Sequence, residues 1–389
     1  MGDCYLLSAM SVLAVQFNLL KVLFVASSPE HGIYQVKFFK NGDWVVVTVD
    51  DLVPVIQNRI AFSKCADPSE VWVPIMEKAY AKLHGSYQAI ESGSTAAALT
   101  DLTGEPTDVL NLANEDIQLK IQKPVNDKDS FWSELMYYVS EKYLIGAACT
   151  AKSVGSEADT GQGILANHAY GLLTAVKLDN STHLISLRNP WGEHEWRGAW
   201  SDGDSKWNER ILKQLNYQFS DDGVFWMDYT DFVKQFNQLV VCRMVTDSFG
   251  DMWKRHSLNG EWVGAKAGGT VHCPTWKNNP QYGFVNEKEN ELLFFLSQPD
   301  ARMLGKGKTY TEAIGFNIWK TEDINKRVER PIKNDLVQMI PFQSARDATL
   351  YLRLPAGKYI VIPQTYNAGV NMKYYFSIFS KDAIKVNNL

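Results

Sequence analysis

The chain has 389 residues, enough for two or three domains, and its 45% hydrophobic and 21% charged content is that of an ordinary globular protein. A formal net charge of -5 argues against a nucleic-acid-binding surface, which needs a basic patch, and no apolar run reaches the roughly 18 residues of a membrane span. Five scattered cysteines (Cys4, Cys65, Cys149, Cys242, Cys273) without a CxxC pair argue against a zinc site or a disulfide scaffold and point to a reducing compartment, the cytoplasm.

The opening "MGDCYLLSAMSVLA" predicts a buried helix. Leu6, Leu7, Met10, Leu13, Ala14 and Phe17 recur at three- and four-residue spacing, with Gly2 and Asp3 where caps belong. Cys4 then sits in the first turn, beside exposed backbone N–H groups. It reads as a nucleophile, a lipid anchor or a buried thiol. Asp3 lies where a signal peptide is basic, and Leu6 where a lipidation signal has Ser or Thr. From Gly32 to Val55, β-rich runs split by Asn41-Gly42 predict a hairpin. "SEVWVPIMEKAYAKLHGSY" reads as a helix with Val71, Ile75, Ala79 and Leu83 on one face, followed by a Gly-, Ser- and Thr-rich loop. Gly104 and Pro106 mark a first boundary, giving a division into residues 1–104, 105–246 and 255–389. The middle segment is mixed, with helices near Ser130–Tyr143 and Thr230–Gln238 and short strands between them. From about Gly260 onward, short β-rich runs alternate with turns, the pattern of an antiparallel β-sandwich.

A thiol nucleophile needs a histidine to take its proton and a third group to orient the imidazole. Two β-like runs, "HAYGLLTAVKL" and "HLISLRNPW", flank Asp179-Asn180-Ser181. Folded as a hairpin, they bring His168 and Asn189 to one end of a strand pair, off register by about three residues, which a bulge or wider loop absorbs. Taken singly, the cysteine reads as a small buried hydrophobe, the histidine as structural and "NPWG" as a turn.

"GDCYLLSA", "EKAYAKLHGSY", "NHAYGL", "RNPWGEHEWRGAWSD" and "DDGVFWMDYTDFVKQF" together resemble the calpains, in order and over almost the whole chain. The final third resembles the calpain β-sandwich, with "GEWVGAKAGG" and "LPAGKYIVIPQTY". The resemblance implies an α+β fold, a papain-like two-lobed core followed by a C2-like β-sandwich. It implies a calcium-regulated intracellular cysteine endopeptidase that performs limited proteolysis on protein substrates. The catalytic residues it implies are Cys4, His168 and Asn189, with Trp191 as a wedge between the lobes. The implied calcium ligands are Asp3 and Glu70 in the first lobe and Glu195, Asp202, the Ser220 carbonyl and Asp222 in the second. Contact with phospholipid or protein partners through the sandwich is the remaining implication.

Five departures qualify this. Val224 stands where the family offers another acid, so the second calcium site should be weaker. Tyr5 replaces a tryptophan and Asn167 a glycine. The family also has a glutamine a few residues before the cysteine, an oxyanion donor, and this sequence opens at Met1 without it, so the first lobe is expected to be incomplete at its start. No EF-hand loop follows the sandwich. The alternative these departures leave open is a catalytically impaired homologue acting as a regulator or scaffold.

Overall fold

The computed structural model describes residues 2–65, 67–112, 128–150, 158–178, 182–245, 253–305, 307 and 309–389. The predicted turn Asp179-Asn180-Ser181 lies outside the described residues, as do Met1 and Thr246. The chain divides into two compact units, Met1–Phe38 with Val45–Met244, and Phe39–Trp44 with Val245–Leu389.

The first unit opens with α1 (Cys4–Val15) and α2 (Phe17–Leu23). α1 is buried nearly all round, with Leu6, Ala9, Met10 and Leu13 at 1% exposure or less. The expected stripe ends earlier than predicted. Gln16 breaks the helix, and Phe17 starts α2 as an exposed side chain. Asp3 holds the N-cap position of α1, yet its side chain makes no capping bond. β1 (Phe24–Ser28), β2 (Ile33–Lys40) and β3 (Asp43–Asp50) form a three-stranded sheet. Asn41 and Gly42 turn the β2–β3 hairpin with φ of 52° and 83°, the paired left-handed geometry that Asn-Gly favours. β4 (Val55–Ile56) and β5 (Arg59–Ile60) make a small hairpin before α3 (Trp72–His84). The buried face of α3 carries Ile75, Met76, Ala79 and Tyr80, while Val71 is exposed and outside the helix. The segment read as a loop contains a further helix, α4 (Thr95–Thr103), capped by the Ser94 hydroxyl and closed by Gly104 in the left-handed region. Its small residues Ala96, Ala98 and Thr100 are buried, so tertiary packing builds a helix from a weakly periodic sequence.

A six-stranded antiparallel sheet follows, from β6 (Thr107–Asn111), β7 (Leu144–Cys149), β10 (His168–Lys177), β11 (His183–Arg188), β12 (Val224–Asp228) and β13 (Gln238–Cys242), in the order β12-β11-β10-β7-β13-β6. β8 (Ala158–Asp159) and β9 (Leu165–Ala166) pair beside it. Helices α5 (Lys128–Ser140), α6 (Glu209–Leu215) and α7 (Tyr229–Gln235) complete the unit. α1 packs against β10, β7 and α4.

The second unit is a sandwich of two five-stranded antiparallel sheets. One joins β14 (Lys254–Ser257), β15 (Gly260–Trp262), β17 (Asn290–Ser297), β20 (Asp347–Leu354) and β22 (Met372–Ser380). The other joins β16 (Tyr282–Asn286), β18 (Ile314–Lys320), β19 (Leu336–Met339), β21 (Gly357–Thr365) and β23 (Lys385–Asn388). Phe294, Phe316, Phe376, Ile318 and Val361 fill the space between them. β17 is buried on both faces, because Leu293 and Phe295 pack with Val245 and Phe379 on its other side. That explains its unbroken apolar run "LLFFL". Among the described residues, no single helix is long and apolar enough to cross a membrane.

Candidate active site

His168 is the first residue of β10, and Asn189 follows the last residue of β11. The strands pair Gly171 with Arg188 and Lys177 with His183, with an irregularity between Leu172 and Thr174. That shift is a bulge of one residue, part of the roughly three-residue offset that a bulge or a wider loop was expected to absorb. His168 Nε2 lies 2.8 Å from Asn189 Oδ1. Both residues are buried, at 1% and 0% exposure.

The hydrogen-bond network assigns the imidazole tautomer. Asn189 Nδ2 donates to the carbonyls of Glu193 (2.6 Å) and His194 (3.3 Å), and the Trp191 N–H donates to Asn189 Oδ1. The amide oxygen therefore faces His168, and an amide oxygen only accepts. Nε2 carries the proton, which leaves Nδ1 as the basic nitrogen. The Trp191 ring lies 4.4 Å from the imidazole at 55°, an apolar cover beside the His168–Asn189 bond. Asn167 takes φ of 57°, the left-handed conformation in which asparagine is the best tolerated substitute for glycine.

Cys4 begins α1 and is half-buried. A helix start carries partial positive charge, which favours a thiolate. The α1 helix rests on β10 at Gly171, where Ser8, Ser11 and Val12 come closest. The loop before α4 holds the other side of its start: the Ser92 N–H donates to the Gly2 carbonyl at 2.6 Å, and the Tyr5 hydroxyl to the Ile90 carbonyl at 3.0 Å. Tyr5 thus uses its hydroxyl where the family has a tryptophan.

The acids implied in the second lobe gather on the loops between β11 and β12. Glu195 Oε1 accepts the N–H groups of Asp222 (3.1 Å) and Gly223 (2.8 Å). Asp202 accepts the Tyr217 hydroxyl at 2.5 Å and the Ser220 N–H at 3.0 Å. Asp222 accepts the Val224 N–H at 2.9 Å. Burial, with Asp202 and Asp221 nearby, pushes the Glu195 carboxyl up against the pull of its two N–H donors. Burial and then the charges of Asp202, Glu195 and Asp222 push the Tyr217 phenol up as well. These contacts include no basic group, and carboxylate oxygens are the donors a hard divalent cation takes, although the three carboxylates do not bring ligand atoms all within 4.8 Å of one another. Trp200 and Trp207 shape the loops from below: Asp204 accepts the Trp200 N–H, and Trp207 Nε1 donates to the Ser201 carbonyl.

Asp3 and Glu70 differ in setting. Glu70 is exposed and accepts Trp72 Nε1 at 3.1 Å. Asp3 is 2% exposed, and its carboxyl faces Glu77, itself 1% exposed. Burial first, and then Glu77, raises the Asp3 carboxyl to about 8. Glu77 Oε2 accepts the Ser63 hydroxyl at 2.6 Å and the Ser63 N–H at 3.2 Å, whereas Asp3 Oδ2 and Glu77 Oε1 have no donor from another residue among the described residues. The sequence reading missed Glu77. The signal for it was an acid among Ile75, Met76, Ala79 and Tyr80 on the apolar face of α3. Gly223 was missed too. Its N–H donates to Glu195 and its carbonyl accepts the Asn189 N–H at 2.8 Å, so one residue joins the acids to the histidine's partner.

Residues 1–243 match the calpain family cysteine protease domain, and residues 258–379 match domain III of the calpain large subunit. The chain is 32% identical over 416 residues to the calpain-type cysteine protease ADL1 of Oryza sativa subsp. japonica, covering 99% of this chain and 18% of that protein. It is 30% identical over 418 residues to calpain-5 of Mus musculus, covering 97% of this chain and 64% of the relative. Calpain clp-4 of Caenorhabditis elegans is 29% identical over 442 residues, covering 99% and 59%. The chain thus spans less than two thirds of the length of these relatives.

Proposed function

Since this chain belongs to the calpain family of cysteine proteases, we propose that it is a cysteine endopeptidase acting through Cys4, His168 and Asn189, regulated by calcium at Glu195, Asp202, Asp222 and the Ser220 carbonyl. The observation that carries this reading is the buried His168–Asn189 bond, which holds the imidazole with Nδ1 as its base. Nδ1 takes the Cys4 proton, and the helix N-terminus stabilises the thiolate that remains. The thiolate attacks the carbonyl carbon of the scissile peptide. As the tetrahedral adduct collapses, His168 gives its proton to the departing amine and leaves a Cys4 thioester. His168 then accepts a proton from water, whose attack on the thioester frees the carboxylic acid and the thiol.

When bound, calcium supplies positive charge that offsets the repulsion among the three carboxylates. Glu195, held in place there, holds Gly223 by its N–H, and Gly223 holds the backbone of Asn189. Exposed segments of protein chains are the substrates we propose. All five cysteines are free thiols, which supports a reducing compartment such as the cytoplasm.

The test is cleavage of casein with and without millimolar calcium, together with iodoacetamide labelling followed by mass spectrometry. Cys4 should alkylate faster than the other four cysteines at pH 7. Cys4→Ser should remove turnover, and His168→Ala should lower it roughly 10²–10⁴-fold. Equal labelling of all five cysteines removes the catalytic assignment and favours a binding or scaffold role.

A further inference from the structure

We propose that Gly171 is a positioning residue for the cysteine–histidine pair: the missing side chain sets how closely the helix that begins with Cys4 seats on the strand that begins with His168. The inference rests on the protease reading above and deepens it. A Cβ at position 171 would lie 2.6 Å from Ser11 Oγ, 2.7 Å from Val12 Cγ1 and 3.7 Å from the Ser8 carbonyl oxygen. Side-chain carbons do not approach that closely. Gly171 is outside the left-handed region, so space and not backbone conformation is what excludes a side chain.

The facing atoms have little room to give way. Val12 is β-branched and 3% exposed, so its rotamer is set by the surrounding core. The Ser11 hydroxyl already donates to the Ser8 carbonyl at 2.8 Å. The far side of the α1 start is also held, since a Cβ on Gly93 would fall 2.5 Å from the Tyr5 ring. A methyl group at 171 is therefore accommodated by moving α1 relative to β10, by about an ångström to restore ordinary contact. Displacements of that size cost a nucleophile on the order of 10²-fold. The cross-strand neighbour of Gly171 is Gly146 on β7, where a Cβ would meet Thr95 of α4 at 3.1 Å, and its three nearest atoms include none of α1. The two glycines share a register position and differ in which helix they seat.

The experiment measures iodoacetamide alkylation of Cys4 in the 389-residue protein from pH 4 to 9. Gly171→Ala should slow Cys4 at pH 6 by tenfold or more and move its profile toward that of an isolated thiol, with the circular dichroism spectrum retained. Gly171→Ala combined with Ser11→Ala and Val12→Ala, which removes both close contacts, should recover the wild-type profile. Gly146→Ala should lower the melting temperature and leave the profile unmoved. If Gly171→Ala does not fold, Val12→Leu closes the same gap from the helix side and should give the same shift. A wild-type profile in Gly171→Ala or Val12→Leu overturns the inference. So does an equal shift in Gly146→Ala, or a triple variant that fails to recover. If wild-type Cys4 itself reacts like the other cysteines, the protease reading falls and takes this inference with it, which is a distinguishable result.

Discussion

Two groups of carboxylates lie close to the candidate catalytic residues, and their surroundings make them opposites. Glu195, Asp202 and Asp222 stand on partly exposed loops, each accepting at least one backbone N–H. Asp3 and Glu77 are sealed in the core, and among the described residues no other residue donates to Asp3 Oδ2 or Glu77 Oε1. Backbone N–H donors hold the loop carboxylates in place, where the proposed reading puts a cation. Two carboxylates buried against one another cannot both ionise, so the pair keeps a proton. The proposed calcium chemistry is placed on the loop group, and proton retention on Asp3 and Glu77.

The largest expected effect is on calcium binding. Changing Glu195 to Gln together with Asp202 to Asn should remove the heat of calcium binding in titration calorimetry. Asp3→Asn should leave that heat in place. If Asp3→Asn also removes it, the division between the two groups is wrong.

The next effect is on stability against pH. Asp3 ionises near the usual carboxylate value of about 3.9 when unfolded and near 8 when folded. Between these values the folded chain holds a proton that the unfolded chain has lost. Asp3 therefore contributes its full stability below about pH 4 and loses it as pH rises toward 8. Urea unfolding of the wild type at pH 5 and pH 8 should differ by an amount on the order of a few kcal/mol in that direction. In Asp3→Asn the difference should shrink. An unchanged slope would mean that the pair ionises freely and is hydrated.

Two smaller effects sharpen the calcium side. Val224→Glu adds a carboxylate beside Asp222 and should tighten calcium several-fold by calorimetry. Tyr217→Phe removes the hydroxyl that Asp202 accepts and should cost about 1 kcal/mol in urea unfolding, the worth of one part-buried hydrogen bond. Its effect on calcium affinity should be under threefold.

Much of this site was legible in the sequence, for local reasons. A helix from Cys4, the Asn41-Gly42 turn and the strands around His168 and Asn189 follow from periodicity and turn chemistry within a few residues. Counting left a bulge or a wider loop to absorb the register offset, and the structure places a bulge between Leu172 and Thr174. The order of cysteine, histidine and asparagine, together with the family resemblance, named the triad. What failed did so where neighbours distant in sequence intervene. Asp3 reads as a cap, but Glu77, far along the chain, engages its carboxyl instead. α4 has too little periodicity to be seen, and forms because its small residues fit under α1.

The sequence by itself determined which chemical groups are present and in what order, since helix starts, turns and strand alternation depend on nearby residues. Only the tertiary structure decided which nitrogen of His168 is the base, because that rests on carbonyls of Glu193 and His194 orienting Asn189. It also decided which acids face loops with backbone donors and which face each other in the core, and that Gly171 is a seat for α1. Burial and close approach are properties of surfaces brought together by folding, and no local pattern along the chain encodes them.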